Sequence, residues 1–396
     1  MRILLIHNFY QESGGEDQVF YAERSLLEEN GHSVYSYTVH NDQIPNLNKF
    51  SLALSTLWNK NAYQKMFELT KEVRPDVVHF HNTFPLLSPS VFHAFKKLKI
   101  PIVLTLHNFR LLCPNGFFFR DQKVCEDCLG KIFAWPAVLH SCYRSNQAFT
   151  LGVSSMLGLH KALGTWTQCV DIFVSLTDFT KQKFIEGGIP ENKVVEKPNF
   201  ISSDPGIGSN EGTYAIFVGR LSHEKGVVTM LEAWKELGHL IPLKVVGVGP
   251  LHNSVIETYS GLPGIEFLGR RSRDEVFQLM KSASVLIFPS ECYENLPMTI
   301  LEAYAVGLPV IASDLGSMKS LVLEGQTGIH FMPGNIKDLS EKLIWLLNHP
   351  KDLSQMRLLA RNEYENKYTA TRNHQQLMEI YSMARTTLSS NKSSII

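Results

Sequence analysis

Two glutamates eight residues apart, Glu294 and Glu302, bracket a segment suited to holding an anion. The apolar run Val285-Leu286-Ile287-Phe288 ends at Pro289, and the loop after it carries Glu294. Pro297 fits the first turn of a following helix, where its missing N–H costs nothing. That helix is expected to run through Glu302 to about Gly307. The free N–H groups around Asn295, Leu296, Pro297 and Met298, together with the helix dipole, suit a diphosphate. Glu302 then lies about 8 Å along the axis from that end, at 1.5 Å per residue. One carboxylate precedes the anion site and the other follows it. Such a pair can accept hydrogen bonds from sugar hydroxyls on one side and ribose hydroxyls on the other.

A second constellation is Gly219-Arg220-Leu221-Ser222-His223-Glu224-Lys225-Gly226. Arg220 and Lys225 sit between a strand and a helix, so both can reach one diphosphate and neutralise charge on a leaving group without a metal ion. Alone, either motif reads as charge on helix ends. Both at strand ends within one half of the chain make a ligand site the better account.

Those residues need strands to carry them. The segments 214–218, 243–248, 265–268, 285–289 and 309–312 are short apolar runs separated by helical periodicity. The first half alternates in the same way, with strands at 2–7, 33–37, 76–81 and 101–107 and polar residues gathered at their ends. Repeated strand–helix–strand units imply parallel sheets covered on both faces. The stretch 201–212 is rich in Ser, Gly, Pro and Asp and reads as a linker. At 396 residues the chain has room for two such domains. In open α/β sheets ligands bind beyond the C-terminal ends of the strands, which is where the charged motifs fall.

Composition narrows the classes. Lys plus Arg and Asp plus Glu both total 38, so the net charge is zero, against a dedicated nucleic-acid binder. No apolar run reaches bilayer length, and the opening strand turns polar at His7-Asn8, too soon for an export signal. The expected location is cytoplasmic, at most peripheral on the inner face of a membrane through the small patch Lys96-Lys97-Leu98-Lys99. Nothing in the sequence specifies an oligomeric state. With no export signal, the six cysteines are not expected to form a disulfide framework.

Gly219-Arg220, Lys225-Gly226, Phe288-Pro289-Ser290, Glu294, Glu302-Ala303 and Gly307-Leu308-Pro309-Val310 together resemble the donor domain of glycosyltransferase family 4. The resemblance spans the chain and is tighter in the second half. It implies the GT-B fold, two Rossmann-like doubly wound domains facing across a cleft. Residues 1–204 would be an acceptor-binding domain with a Cys-rich insertion near 113–142. Residues 205–371 would be the nucleotide-sugar donor domain, and 372–396 a helix crossing back to the first domain, frayed from 391. It implies a retaining hexosyltransferase of polysaccharide biosynthesis with no metal in catalysis. Arg220 and Lys225 would bind the donor diphosphate, Glu294 the donor sugar and Glu302 the ribose. The donor is a UDP- or GDP-sugar, with its base near Leu268-Gly269-Arg270, and the acceptor a saccharide or lipid-linked saccharide.

In the first half, Ser13-Gly14-Gly15 precedes a helix, and glycines let backbone approach a phosphate closely. The resemblance makes this a loop closing over the donor. His79, His81 and His107 all end strands, where histidines are commonly structural. His107 alone matches a family histidine beside the donor sugar, orienting it rather than acting as a base. The family often follows it with Asp, whereas Asn108 stands here. No residue suggests itself as a nucleophile for double displacement.

Cys113, Cys125, Cys128 and Cys142 form C-x11-C-x2-C-x13-C. That knuckle with two flanking thiols matches a four-thiolate structural zinc site, and four reduced thiols in a loop are the alternative. Two further readings of the whole chain stay open. One is a non-hydrolysing nucleotide-sugar 2-epimerase and the other an inactive nucleotide-sugar-binding scaffold.

Overall fold

Apolar runs bounded by turn residues set the strands, and burial on both faces selects parallel pairing. In the computed structural model, which describes residues 1–393 except 13, 47, 210–211 and 239, the chain forms two compact units. The first comprises Met1–Phe118, Glu126–Asn199 and the tail from Asn373 onward. The second comprises Phe119–Cys125 and Phe200–Arg372.

The sheet of the first unit is built from β1 (Arg2–Phe9), β2 (Ser33–His40), β3 (Val77–Phe80) and β4 (Ile102–Thr105). A small hairpin, β5 (Phe119–Arg120) and β6 (Lys123–Val124), follows in the chain. Then come β7 (Ile172–Ser175) and β8 (Val194–Glu196). The order is β2-β1-β3-β4-β7-β8 and every pair is parallel. Chain order reverses between β1 and β3, so the loops after those strands diverge and leave a crevice.

The second sheet contains β9 (Ala215–Val218), β10 (Leu243–Val246), β11 (Ile265–Gly269), β12 (Val285–Phe288), β13 (Val310–Ser313) and β14 (Gly328–Phe331). Its order is β11-β10-β9-β12-β13-β14, the dinucleotide-fold order with its switch point between β9 and β12. All pairs are again parallel.

Several sequence expectations are adjusted. β1 extends to Phe9, whereas β3 and β4 stop short of His81 and His107 and leave both just beyond the sheet. Pro297 caps its helix from outside, with extended backbone, and Met298–Ala305 is the helix proper. The tail helix runs Ala370–Ser393, longer than expected, because no Gly or Pro interrupts it. Asn391 therefore continues the helix, and the expected fraying of 394–396 lies outside the described residues. The loop after Cys113 is more ordered than its composition suggested. Asp121 and Gln122, both at positive φ, form the tight turn between β5 and β6.

The core of the first unit packs Ile3, Leu5, Phe20, Leu27 and Val103 against Leu377, Ile380, Tyr381 and Ala384 of the tail helix. That of the second unit gathers Phe217, Leu221, Met230, Trp234, Val245, Ile287 and Leu343. These cores hold the strand ends on which the polar residues sit.

Candidate functional site

β9 and β12 flank the switch point of the second sheet, and the two charged motifs follow these strands. After β9 a single 3-10 turn, His223–Lys225, is closed by Gly226 at φ 65°, and the helix Val227–Leu237 begins. Gly226 is required twice over. Its backbone is left-handed, and a Cβ there would stand 1.9 Å from the carbonyl oxygen of Pro289 at the end of β12. That close approach brings the two loops together. Glu291 N–H donates to the Glu224 carbonyl across the junction at 2.8 Å.

The result is a direct contact between two predicted residues. Lys225 Nζ lies 2.5 Å from Glu294 Oε1, which also accepts from Ser290 Oγ at 2.6 Å. Ser317 Oγ donates to the Glu294 carbonyl, pinning the loop from the other side. Burial lowers the Lys225 pKa, but the Glu294 carboxylate beside it, with Cys292 and Glu224 adding to it, outweighs that, and the net shift is upward. Lys225 is therefore held charged and aimed. Arg220 is exposed, and among the described residues no ion pair holds it, so it can turn toward an anion.

From Met298 the helix Met298–Ala305 has no side-chain cap at its N-terminus, which leaves its first N–H groups for a ligand. Asn295 is half-buried, and Leu296 and Pro297 are buried beneath that end. Glu302 lies just over one turn along. Burial pushes its carboxyl up to about 7, and Arg273 Nε at 3.8 Å moderates the rise. Gly269 ends β11 and Arg270 follows it, two strands from β9 and so about 10 Å away at sheet spacing, a nucleoside's reach. Arg270 is exposed there.

In the first unit, Gly14 precedes the helix Gly15–Glu29, and Ser13 lies outside the described residues. The Gly14 N–H donates to Asp17 Oδ2 at 3.1 Å, and Asp17 Oδ1 is 2.7 Å from His7 Nε2. That N–H is thus engaged within the protein. A Cβ on Gly14 would meet nothing within 4 Å, so no protein contact demands a glycine there. His107 stacks on His81, with Nε2 2.9 Å from His81 Nδ1. Burial drives the His107 pKa well below its ordinary value, so the ring is neutral.

Asn108 has a defined place. Its Oδ1 accepts from Arg110 N–H at 3.0 Å, and its Nδ2 donates to Glu16 Oε2 at 3.2 Å. Burial first, then the neighbouring Asp17 charge, push the Glu16 carboxyl up to about 8. An Asp at 108 would have no N–H to donate to Glu16. Glu16 was not singled out from sequence, nor were Ser290, Ser317 and Arg273. Only Ser290 lay inside a quoted motif, and the others act through contacts that no local spacing announces.

The four clustered cysteines are in no disulfide; Cys113 and Cys128 are buried, Cys125 and Cys142 half-buried. Cys113 Sγ is 3.0 Å from Asn115 Oδ1, and Cys128 packs with Ala134, Ala137 and Cys142. Cys125 belongs to the second compact unit and the other three to the first. Two sets of potential ligands do converge within 4.8 Å, namely Glu23, His79 and His81, and His7, Glu16 and Asp17.

The model of the family described as Glycosyltransferase Family 4 matches residues 13–204, and that of Glycosyl transferases group 1 matches 203–363. Over 318 residues the chain is 28% identical to an uncharacterised glycosyltransferase of Methanocaldococcus jannaschii, covering 78% of this chain and 75% of the relative. It is 24% identical over 342 residues to the 2-deoxystreptamine N-acetyl-D-glucosaminyltransferase of Niallia circulans, covering 83% and 82%. Among solved structures, Anabaena HepE in complex with UDP superposes with a TM-score of 0.68 at 16% identity, covering 96% of this chain and 100% of that one. Sucrose-phosphate synthase from Thermosynechococcus elongatus gives 0.72 at 14%, covering 98% and 100%. At such identities the structural likeness speaks for the fold alone.

Proposed function

From the premise that this chain belongs to glycosyltransferase family 4 and has its GT-B fold, we propose that it is a retaining hexosyltransferase. It moves a sugar from a UDP- or GDP-sugar to a saccharide or lipid-linked saccharide in cell-surface polysaccharide biosynthesis. The observation that carries this reading is the Lys225–Glu294 contact at the switch point, beside an uncapped helix N-terminus. Arg220 and Lys225 neutralise the donor diphosphate at that N-terminus, Glu294 grips the sugar and Glu302 the ribose. Gly269 and Arg270 border the base. The acceptor hydroxyl attacks the anomeric carbon on the face from which phosphate departs. The glycosyl–phosphate bond breaks as the new bond forms, and the leaving phosphate takes the hydroxyl proton. The protein supplies electrostatics and no base or metal. The Gly14-Gly15 loop covers the donor, and His107 orients the sugar.

HepE has been solved in complex with UDP-glucose, which makes a UDP-hexose the first donor to try. A thermal-shift screen should find one nucleotide sugar that raises Tm, since a ligand of the native state alone stabilises it. The same compound should be hydrolysed slowly without acceptor, and Glu294→Ala should slow that roughly 10- to 100-fold, as loss of charged hydrogen bonds does. Binding without turnover under any acceptor would instead favour the inactive scaffold. Release of a free epimerised sugar nucleotide would favour the epimerase.

Two finer readings belong with this one. The C-x2-C spacing supports a structural zinc on Cys113, Cys125, Cys128 and Cys142, and a metal-free purified protein of unchanged Tm under chelator would sink it. Peripheral contact with an anionic bilayer is supported by exposed Lys97 and Lys99 and by exposed Trp135, Leu139, Leu151 and Leu159. No described helix is long and apolar enough to cross a membrane. Failure to sediment with vesicles rich in anionic lipid would remove the contact.

A further inference from the structure

A chain of buried polar groups leads from Lys197 to His107. Lys197 Nζ is 2.7 Å from Glu23 Oε1, and both side chains are 0% exposed. The other carboxylate oxygen, Glu23 Oε2, lies 3.4 Å from His81 Nε2; the contact falls short of hydrogen-bond geometry, and both atoms are buried with no hydrogen-bond partner. His81 Nδ1 is in turn 2.9 Å from His107 Nε2. Burying an ammonium and a carboxylate is costly unless they pair closely, as these two do. The pair comes from elements far apart in sequence, the helix Gly15–Glu29 and the segment after β8.

We infer that the Lys197–Glu23 ion pair fixes the tautomer of His107, holding its Nδ1 as a hydrogen-bond acceptor for a substrate hydroxyl. A carboxylate only accepts, so the His81 nitrogen facing it, Nε2, carries the proton. A neutral imidazole has one proton, which leaves His81 Nδ1 bare. His107 must then donate to it from Nε2, and its own Nδ1 is bare in turn. Burial lowers the pKa of all three rings in the cluster, His79 to about 4 and His81 and His107 well below the ordinary value, consistent with one proton per ring. His79 stands 3.8 Å from Glu23 Oε2 but is satisfied separately, by Tyr381 Oη at 2.9 Å and Thr105 Oγ1 at 2.7 Å. His107 is half-buried and lines a cavity of about 60 Å³ with Thr83, Asn108 and Arg110. Glu23 and Lys197 touch no substrate; they act through His81 as positioning residues.

The decisive variant is Glu23→Gln. Lys197 can only donate, so it draws the amide oxygen of Gln and turns the NH2 toward His81 Nε2. Every proton in the chain then reverses. His81 donates from Nδ1, and His107 carries its proton on Nδ1 and offers a donor where it had offered an acceptor.

The test is the nitrogen spectrum of the full chain labelled at histidine, with the His107 signals assigned by their loss in His107→Gln. In wild type the bare nitrogen should be Nδ1 and the protonated one Nε2; the opposite pattern overturns the proposal, with no variant required. In Glu23→Gln the two should exchange, and an unchanged tautomer in the folded variant also overturns it. The functional half rests on the transferase reading above. With UDP-glucose or whichever donor the screen yields, Glu23→Gln should slow donor hydrolysis roughly 10- to 100-fold, the penalty for a mismatched buried hydrogen bond. Exchange of the tautomer with an unchanged rate overturns the positioning role. The failure of the transferase reading looks different, since wild type would then hydrolyse no donor while the spectrum still reported the tautomer.

Discussion

Glu302 shows how a single residue can be held against its own stability. Its carboxyl is pushed from 4.5 up to about 7 by burial, so the folded protein binds that proton more tightly than the unfolded chain. Stability from this group is therefore present at low pH and is lost as pH rises from about 4.5 to 7. Glu302→Gln should raise Tm at pH 8 by roughly 2–6 °C and change it little at pH 4.5. On the proposed function, the same substitution removes an ionised acceptor for the ribose hydroxyls. Donor affinity should fall roughly tenfold in the variant, and in wild type should strengthen as pH rises through about 7. Titration calorimetry of the donor at pH 6 and pH 8 checks both; a variant that binds as well as wild type removes Glu302 from the ribose. The place of Glu302 on the helix after Glu294 was legible from its spacing. Its perturbed proton was not, because it depends on what is packed around it and on Arg273 from a neighbouring helix.

At the scale of elements, the turn between β9 and its following helix carries the site. Gly226 lets the turn close at φ 65° and lie against the end of β12, which is what sets Lys225 beside Glu294. Gly226→Ala adds a Cβ in a left-handed position with a backbone oxygen 1.9 Å away. It should cost about 2–4 kcal/mol in urea unfolding and slow donor hydrolysis together. Loss of neither would show that the turn tolerates displacement and that Lys225 is placed by other means. The sequence announced Lys225-Gly226 as a motif after a strand. That the glycine is needed by Pro289, from another strand 63 residues on, follows only from the order of the sheet.

For the whole molecule, the tail returns to the core of the first unit. Leu377 is fully buried among residues of β1, β4 and the Gly15–Glu29 helix. Leu377→Ala should cost about 2–5 kcal/mol, the usual range for a buried leucine, and lower the thermal midpoint accordingly. A variant as stable as wild type would mean the tail adds little to that core. The Tyr381 hydroxyl, from the same helix, also reaches His79, so the tail holds a polar cluster as well as an apolar one.

The sequence by itself determined the fold class, since alternating apolar runs and helical patterns admit little besides parallel sheets wound on both faces. It also placed Arg220, Lys225 and Glu294 after strands and Glu302 on the helix that follows Glu294, because their neighbours in the chain are the strands and helices that carry them. What only the tertiary structure decided is which groups from distant segments meet. Lys197 finds Glu23 across 174 positions, Asn108 finds Glu16 across 92, and His79 finds Tyr381 across 302. Local periodicity reports the face a residue presents, not the partner waiting there, and a buried proton's position depends on the partner.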